Sequence, residues 1–279
     1  ILSLENPDIV LVQGDTASTF AGAFASYFKK VPVGHVEAGL RTNNKYHPFP
    51  EEIFRKSVTS IADLHFAPTK DSLNNLLNEG ISQKKIYVTG NTGIDALKYI
   101  TQKEQFFPKT FERFLDQDKK IILVTSHRRE NFGKPLENIC TALNKIVEIS
   151  KNISIIFSVH PNPNVRHAVH NLIANTENIH LIDPIDYISF VHLMKHSYII
   201  LTDSGGIQEE APSLGIPVLV LREKTERPEG VDAGTSILIG TDTNKIIAET
   251  FKLLNSPKLY KFRSGIKNPY GDGNASIRI

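Results

Sequence analysis

The sequence predicts an α/β protein built from two doubly wound domains with a cleft between them. Three observations carry that expectation. Short β-branched runs alternate with longer helical patterns, the signature of parallel βαβ units. The alternation runs twice, interrupted at 101–119 by a polar, charged stretch with no strand pattern. At 279 residues the chain has room for two domains of ordinary size.

The first series occupies 1–100. "DIVLVQG" reads as a buried strand and "TASTFAGAFASYFKK" as a helix of small and apolar residues. "VPVGHVEAG" is the next strand, running into the loop "LRTNNKYHPF", and "PEEIFRKSVTSIA" is a helix with Pro50 in its first turn. "DLHFAPT" is a strand, "KDSLNNLLNEG" a helix closed by Gly80, and "IYVTGNTGIDAL" a strand, turn and helix. The stretch 101–119 reads as a linker or outer helix. A second series begins at 120: "KIILVTSHRRE" (strand), "PLENICTALNKIVEIS" (helix), "ISIIFSVHPNP" (strand) and "VRHAVHNLI" (helix). "IHLIDPI" (strand), "DYISFVHLMKHS" (helix), "YIILTD" (strand), the "GGIQEEAPSLG" helix and the strands "IPVLVL" and "TSILIG" follow.

Composition narrows the class. A hydrophobic share of 40% and a charged share of 22% are those of a soluble globular protein. The net charge of +2, with both signs interspersed, gives no electrostatic case for nucleic acid or an anionic membrane. No apolar run approaches the roughly 20 residues of a membrane helix. The one cysteine, Cys140, excludes an internal disulfide framework and fits a reducing, cytoplasmic compartment. The histidines lack metal-ligand spacing, so no metal is expected. The chain lacks an initiator Met and opens almost directly into a strand, which reads as an N-terminal truncation.

Every candidate motif falls at the carboxyl end of a strand, where doubly wound folds bind ligands. In "LTDSGGIQEEAPSLG", Ser204, Gly205 and Gly206 open a helix whose free N–H groups attract phosphate; the alternative is a plain N-cap on Asp203 or Ser204. Glu210 lies beyond that cradle and suits the vicinal diol of a ribose, whereas Glu209 reads as solvated. Phosphate at the turn and ribose at the carboxylate together suggest a nucleotide. Arg222 and Arg227, in "LREKTERPEG", are forks for phosphate oxygens or else solvated loop residues. "VTSHRRENFG" places His127, Arg128 and Arg129 at another strand end, as a ligand site or a surface basic cluster. In the first series, Asp15 follows one strand, Glu37 another, and Glu51 and Glu52 start a helix. Asp15 has the bland reading of an N-cap, and Glu51 and Glu52 of first-turn carboxylates. Glu37 has no such role. Carboxylates converging on one cleft are a usual source of a base and an acid.

Taken together, "GDT", "HVEAGLRT", "PFPEE", "FAPT", "TGNTGIDAL", "SHRREN", "HPNP", "DSGGIQEEAPSLG", "ERPEG", "DAGT" and "NPYGDG" resemble, in order and over essentially the whole chain, the bacterial non-hydrolysing UDP-N-acetylglucosamine 2-epimerases. The resemblance implies a GT-B-like fold of two Rossmann-like domains, 1–100 and 120–258, with segment 259–279 returning to the first, and a homodimer. It implies interconversion of UDP-GlcNAc and UDP-ManNAc for surface polysaccharide, by loss and re-addition of UDP through 2-acetamidoglucal, with no cofactor. Ser204, Gly205, Gly206 and Arg227 would bind the diphosphate, Glu210 the ribose, and Phe190 with the backbone of Ile185 the uracil. Asp15, Glu37 and Glu51 would be acid/base candidates, with the base unassigned among them, and His127 would lie near the diphosphate. Arg128 and His160 resemble residues of a regulatory UDP-GlcNAc site.

The chain departs from the family where a first strand and a "GTRPE"-like loop are expected. It is read as a fragment, as one part of an enzyme completed by a separate N-terminal polypeptide, or as an inactive UDP-sugar-binding remnant. A hydrolysing epimerase, releasing ManNAc and UDP, is disfavoured by "SHRREN" and "HPNP", and nothing resembles the acceptor site of a glycosyltransferase.

Overall fold

The computed structural model describes residues 1–46, 48–103, 119–173 and 176–279. Residues 104–118 of the expected linker lie outside the described residues. The chain divides into two compact units, Ile1–Ala96 with Pro269–Ile279, and Leu97–Asn268. Each contains a parallel sheet with helices packed on it, so the α/β class holds.

The sheet of the first unit has the order β1 (Val10–Gln13), β2 (Val33–Val36), β3 (Leu64–Ala67) and β4 (Ile86–Val88). Thr16 and Thr69 start the helices Ala17–Phe28 and Lys70–Asn78, their hydroxyls accepting from the N–H groups of Thr19 and Ser72. Val12, Ala23, Val33, Val58 and Ala62 form one apolar cluster, and Ala38, Ala67, Leu76 and Ile86 another. The opening strand is not buried as its apolar run predicts. Leu11 is 55% exposed because β1 takes the sheet edge, with β2 as its one strand neighbour among the described residues. Pro50 stands just before the helix Glu51–Ile61 rather than inside its first turn. Segment Pro269–Ile279 packs with this unit: Tyr270 is buried, its carbonyl accepts from Asn91 N–H at 2.8 Å, and Asp95 accepts from the N–H groups of Ala275 and Ser276.

The second unit has a six-stranded sheet in the order β10 (Ser236–Leu238), β9 (Val218–Val220), β8 (Ile199–Thr202), β5 (Lys120–Ser126), β6 (Ile153–Val159) and β7 (Ile179–Ile182). Successive side chains point to opposite faces, and both faces are covered. Ile122 and Val124 pack with Ile139, Leu143 and Ile146 of the helix Lys134–Ile149. Ile121 and Leu123 pack with Val191, Met194 and Ile207 on the other side. That two-sided burial is why these strands read as continuous apolar runs.

The chain winds outward from β5 through β6 to β7, then returns to build β8, β9 and β10 on the other flank. The strand order therefore reverses between β5 and β8, and ligands in such sheets bind beyond the carboxyl ends at that reversal. His127 and Arg128 follow β5, while Asp203 and Ser204 follow β8.

Candidate functional site

Beyond β8 the chain passes through Asp203 and Ser204 into the helix Gly205–Glu210. Ser204 is the N-cap residue, yet its side chain makes no capping bond, so the hydroxyl remains available. Asp203 is not a cap. It is fully buried and turns toward the β5 loop, where it accepts from Ser126 Oγ (3.0 Å), His127 N–H (2.9 Å), Arg128 N–H (3.0 Å) and Asn131 Nδ2 (2.9 Å). His127 Nδ1 lies 3.1 Å from its other oxygen. Burial alone would raise its pKa, but His127 and the surrounding donors hold it below the ordinary carboxylate range. The two strand ends are joined at the base by Thr125 and Thr202, whose hydroxyls are 2.6 Å apart.

The arginines are not loosely solvated. Arg128, Arg222 and Arg227 converge on one buried carboxylate, Glu226, at 2.9, 2.6 and 3.5 Å. Against the cost of burial, the three guanidinium groups bring Glu226 down to about 2. Arg222 also binds Glu130, and Arg227 donates from Nε to Glu209. The expectation of a solvated Glu209 is thereby corrected: it is 3% exposed, because its side of the short helix faces the 222–227 loop. Gly205 lies close under this ion cluster, since a Cβ there would meet Glu226 Oε1 at 3.0 Å and Arg227 Cζ at 3.4 Å. A Cβ on Gly206 would meet only Ser204 Oγ, at 4.0 Å. The backbone is thus open to a ligand at Gly206 and closed at Gly205.

Glu210 is half-buried and differs from its neighbour. Burial, with a smaller contribution from Glu209, raises its pKa to about 7, while a hydrogen bond with the Tyr187 hydroxyl opposes the rise. Tyr187 opens the helix Tyr187–Lys195, which Asp186 caps by accepting from Ser189 N–H at 3.0 Å. Phe190 is on the same helix and Ile185 just precedes it; both are partly buried against the cluster around Val191 and Ile207. The imidazole of His160, after β6, stacks on that of His127 with centroids 6.0 Å apart. His160 Nδ1 accepts from Asn162 N–H. Arg129 is exposed.

The first unit carries the acidic candidates. Gly14, at φ 77°, directly follows β1, and Glu37, at φ 66°, directly follows β2. A positive φ is uncommon for a side chain such as glutamate and marks a position held by its surroundings. A Cβ on Gly14 would lie 3.6 Å from Glu37 Oε2, so the Asp15 turn and Glu37 are neighbours. Asp15 is not the helix cap, a role Thr16 fills; it pairs instead with Arg55. Glu51 and Glu52 separate sharply. Glu52 is fully buried, accepts from the N–H groups of Thr42 and Asn43, and pairs with Arg55 at 3.4 Å, so it holds a loop. Glu51 keeps a buried Oε2 without a hydrogen-bond partner among the described residues. His35, fully buried, donates from Nε2 to Gly14 O at 2.8 Å and steadies the same turn.

Several participants were not singled out in the sequence: Asn131, Tyr187, Gln208, Glu226, Arg55 and His35. Glu226 carried a signal in its two flanking arginines. Gln208 carried none, although it is fully buried, donates to Ser204 O and accepts from Thr225 Oγ1. Among the described residues no three His, Cys, Asp or Glu side chains are grouped to hold a metal ion, and no helix is long and apolar enough to cross a membrane.

Comparison with known proteins identifies the family and the fold. The family model for UDP-N-acetylglucosamine 2-epimerase matches residues 1–279. A UDP-N-acetylglucosamine 2-epimerase of Salmonella typhimurium (strain LT2) is 50% identical over 285 residues, covering 100% of this chain and 76% of its own length. A Staphylococcus aureus protein solved together with UDP superposes with a TM-score of 0.94 at 48% identity, over 99% of this chain and 75% of that one. The Neisseria meningitidis UDP-GlcNAc 2-epimerase bound to UDP-GlcNAc superposes with a TM-score of 0.92 at 48% identity, over 99% and 76%. The fold is therefore that of these epimerases, with two Rossmann-like domains.

Proposed function

The chain belongs to the UDP-N-acetylglucosamine 2-epimerase family, and from that premise we propose that it interconverts UDP-GlcNAc and UDP-ManNAc without releasing free sugar. The observation that carries this reading is the polar cluster at the strand-order reversal of the second unit. There a Ser204 hydroxyl not used as a cap, an open backbone at Gly206, Arg227 and a Glu210 whose pKa is raised to about 7 lie beyond the ends of the neighbouring strands β8 and β9. Phosphate suits the first three, and a ribose diol suits Glu210. Phe190 and the Ile185 backbone hold the uracil.

The C2 proton of the sugar is not acidic enough for direct removal to be easy. In the proposed route a carboxylate takes that proton while the C1–O bond to UDP breaks, and the C2–H electron pair becomes the C1=C2 bond of 2-acetamidoglucal. UDP oxygen then adds back to C1 as a proton reaches the opposite face of C2. Asp15, Glu37 and Glu51 supply the acid and base, and Arg227, the Gly206 N–H and His127 stabilise the departing diphosphate. Glu51, with an unpartnered carboxylate oxygen, is the favoured base. Arg128 and His160 contribute to a second UDP-GlcNAc site. The enzyme acts in the cytoplasm, as a homodimer, supplying N-acetylmannosamine units for surface polysaccharide. The exposed Leu11, Phe24, Tyr27 and Phe28 are apolar surface that a further polypeptide segment would cover on the β1 side of the first unit.

Proton NMR of UDP-GlcNAc incubated with the protein in D2O tests the reading. UDP-ManNAc deuterated at C2 is expected. Free ManNAc with UDP would replace it by a hydrolytic reaction, and an unchanged spectrum from folded, UDP-binding protein would refute catalysis by this chain.

A further inference from the structure

We propose that Asp203 is the positioning residue of His127, fixing which imidazole nitrogen meets the diphosphate; the catalytic part of this inference rests on the epimerase reading above. Asp203 is fully buried and accepts from four donors other than the imidazole: one hydroxyl, two backbone N–H groups and the Asn131 amide. Such a carboxylate is ionised and can only accept. The nitrogen facing it at 3.1 Å, His127 Nδ1, must therefore carry a hydrogen. Nε2 is left as the nitrogen free to exchange a proton, on a ring whose side chain is 39% exposed.

The same run of chain also presents the ligand-facing groups. Asp203 immediately precedes Ser204, whose hydroxyl is not used to cap the helix. One residue thus orients the imidazole while the next offers a hydroxyl to phosphate, and both are tied to β8. The His160 imidazole stacks on that of His127 with centroids 6.0 Å apart, and its own Nδ1 accepts from Asn162 N–H. Arg128, the next charged group along the chain, is balanced by Glu226. Asp203 is thus the carboxylate that faces the imidazole directly. When UDP departs, protonated Nε2 gives its proton to the phosphate oxygen leaving C1, and Asp203 stabilises the imidazolium before that transfer. When UDP returns to C1, the same proton goes back to Nε2.

The test combines long-range proton–nitrogen NMR of histidine-labelled protein, with His127 assigned through His127→Gln, and turnover measurements. Wild type is expected to show His127 with its hydrogen on Nδ1. Asp203→Asn is expected to move the hydrogen to Nε2 and lower kcat about a hundredfold or more, with UDP affinity changed less than tenfold. In a His127→Gln background the same substitution is expected to cost less than about threefold further. Ser126→Ala removes a different donor to Asp203 and is expected to keep both the tautomer and most of the turnover. The pairing is overturned by a wild-type His127 protonated on Nε2, which requires no variant to fold. It is also overturned if Ser126→Ala costs as much as Asp203→Asn, or if the cost of Asp203→Asn persists without His127. A wild type inert toward UDP-GlcNAc would sink the proposed reaction instead, and the tautomer spectrum would still decide the pairing.

Discussion

Adjacent carboxylates with the same charge do opposite jobs in this protein, and the difference is set by what their oxygens touch. Glu52 is satisfied by backbone N–H groups and Arg55, whereas Glu51 has an oxygen left over. Glu52→Gln is expected to lower stability by about 3 kcal/mol, because a buried charge network loses one member. Glu51→Gln is expected to leave the urea midpoint nearly unchanged while lowering kcat by about a hundredfold or more. Paired unfolding and turnover measurements check both. Glu209 and Glu210 divide in the same way. With Glu210 raised to about 7, its carboxylate form is lost as pH falls through neutrality. UDP-GlcNAc affinity, read by calorimetry, is therefore expected to weaken between pH 8 and pH 6, and Glu210→Gln to remove most of that slope. UDP-GlcNAc suits the measurement because its diphosphate diester does not titrate in this range.

At the scale of elements, chemistry gathers where strands end. The parallel sheet of the second unit aligns β5 and β8 so that residues 76 positions apart, His127 and Asp203, become neighbours. The short helix after β8 contains two glycines with different constraints. Gly205→Ala pushes a methyl group to 3.0 Å from Glu226 Oε1, an atom held by arginines and unable to give way. It is expected to lower the melting temperature by several degrees and to weaken UDP binding. Gly206→Ala meets no close atom, so its melting temperature should match wild type while UDP affinity falls, because the methyl group occupies the approach of the phosphate. Equal loss of stability in the two variants would contradict this assignment.

For the molecule as a whole, acid stability is expected to depend on the first unit. His35 and His65 face each other in register on β2 and β3, both fully buried. Burial above all lowers each from its ordinary value of 6.5 to about 4. The unfolded chain then binds protons that the native state refuses, so the contribution is intact above pH 6.5 and is lost as pH falls toward 4. The loss is on the order of 3 kcal/mol per histidine. Urea unfolding at pH 7 and pH 4.5 checks it, with His65→Gln expected to flatten the difference. Much of the architecture was legible beforehand, because strand and helix periodicities are local properties of a few neighbouring residues: the apolar runs of β5, β6 and β8 and the Gly-containing turns could be read directly. Candidate motifs at strand ends were legible for the same reason. The partners of each polar side chain were not. Asp203 and Ser204 stood as alternative helix caps and Glu209 read as solvated, since the true partners of Asp203 and Glu209, His127 and Arg227, come from other loops. Leu11 read as buried because an apolar residue does not reveal whether its strand is central or at an edge. The sequence alone thus determined the parallel α/β class, the family and the polar residues that follow each strand. Tertiary structure decided which of those residues are ion-paired and which are free, because hydrogen bonding and desolvation depend on groups that only strand order brings within about 3 Å.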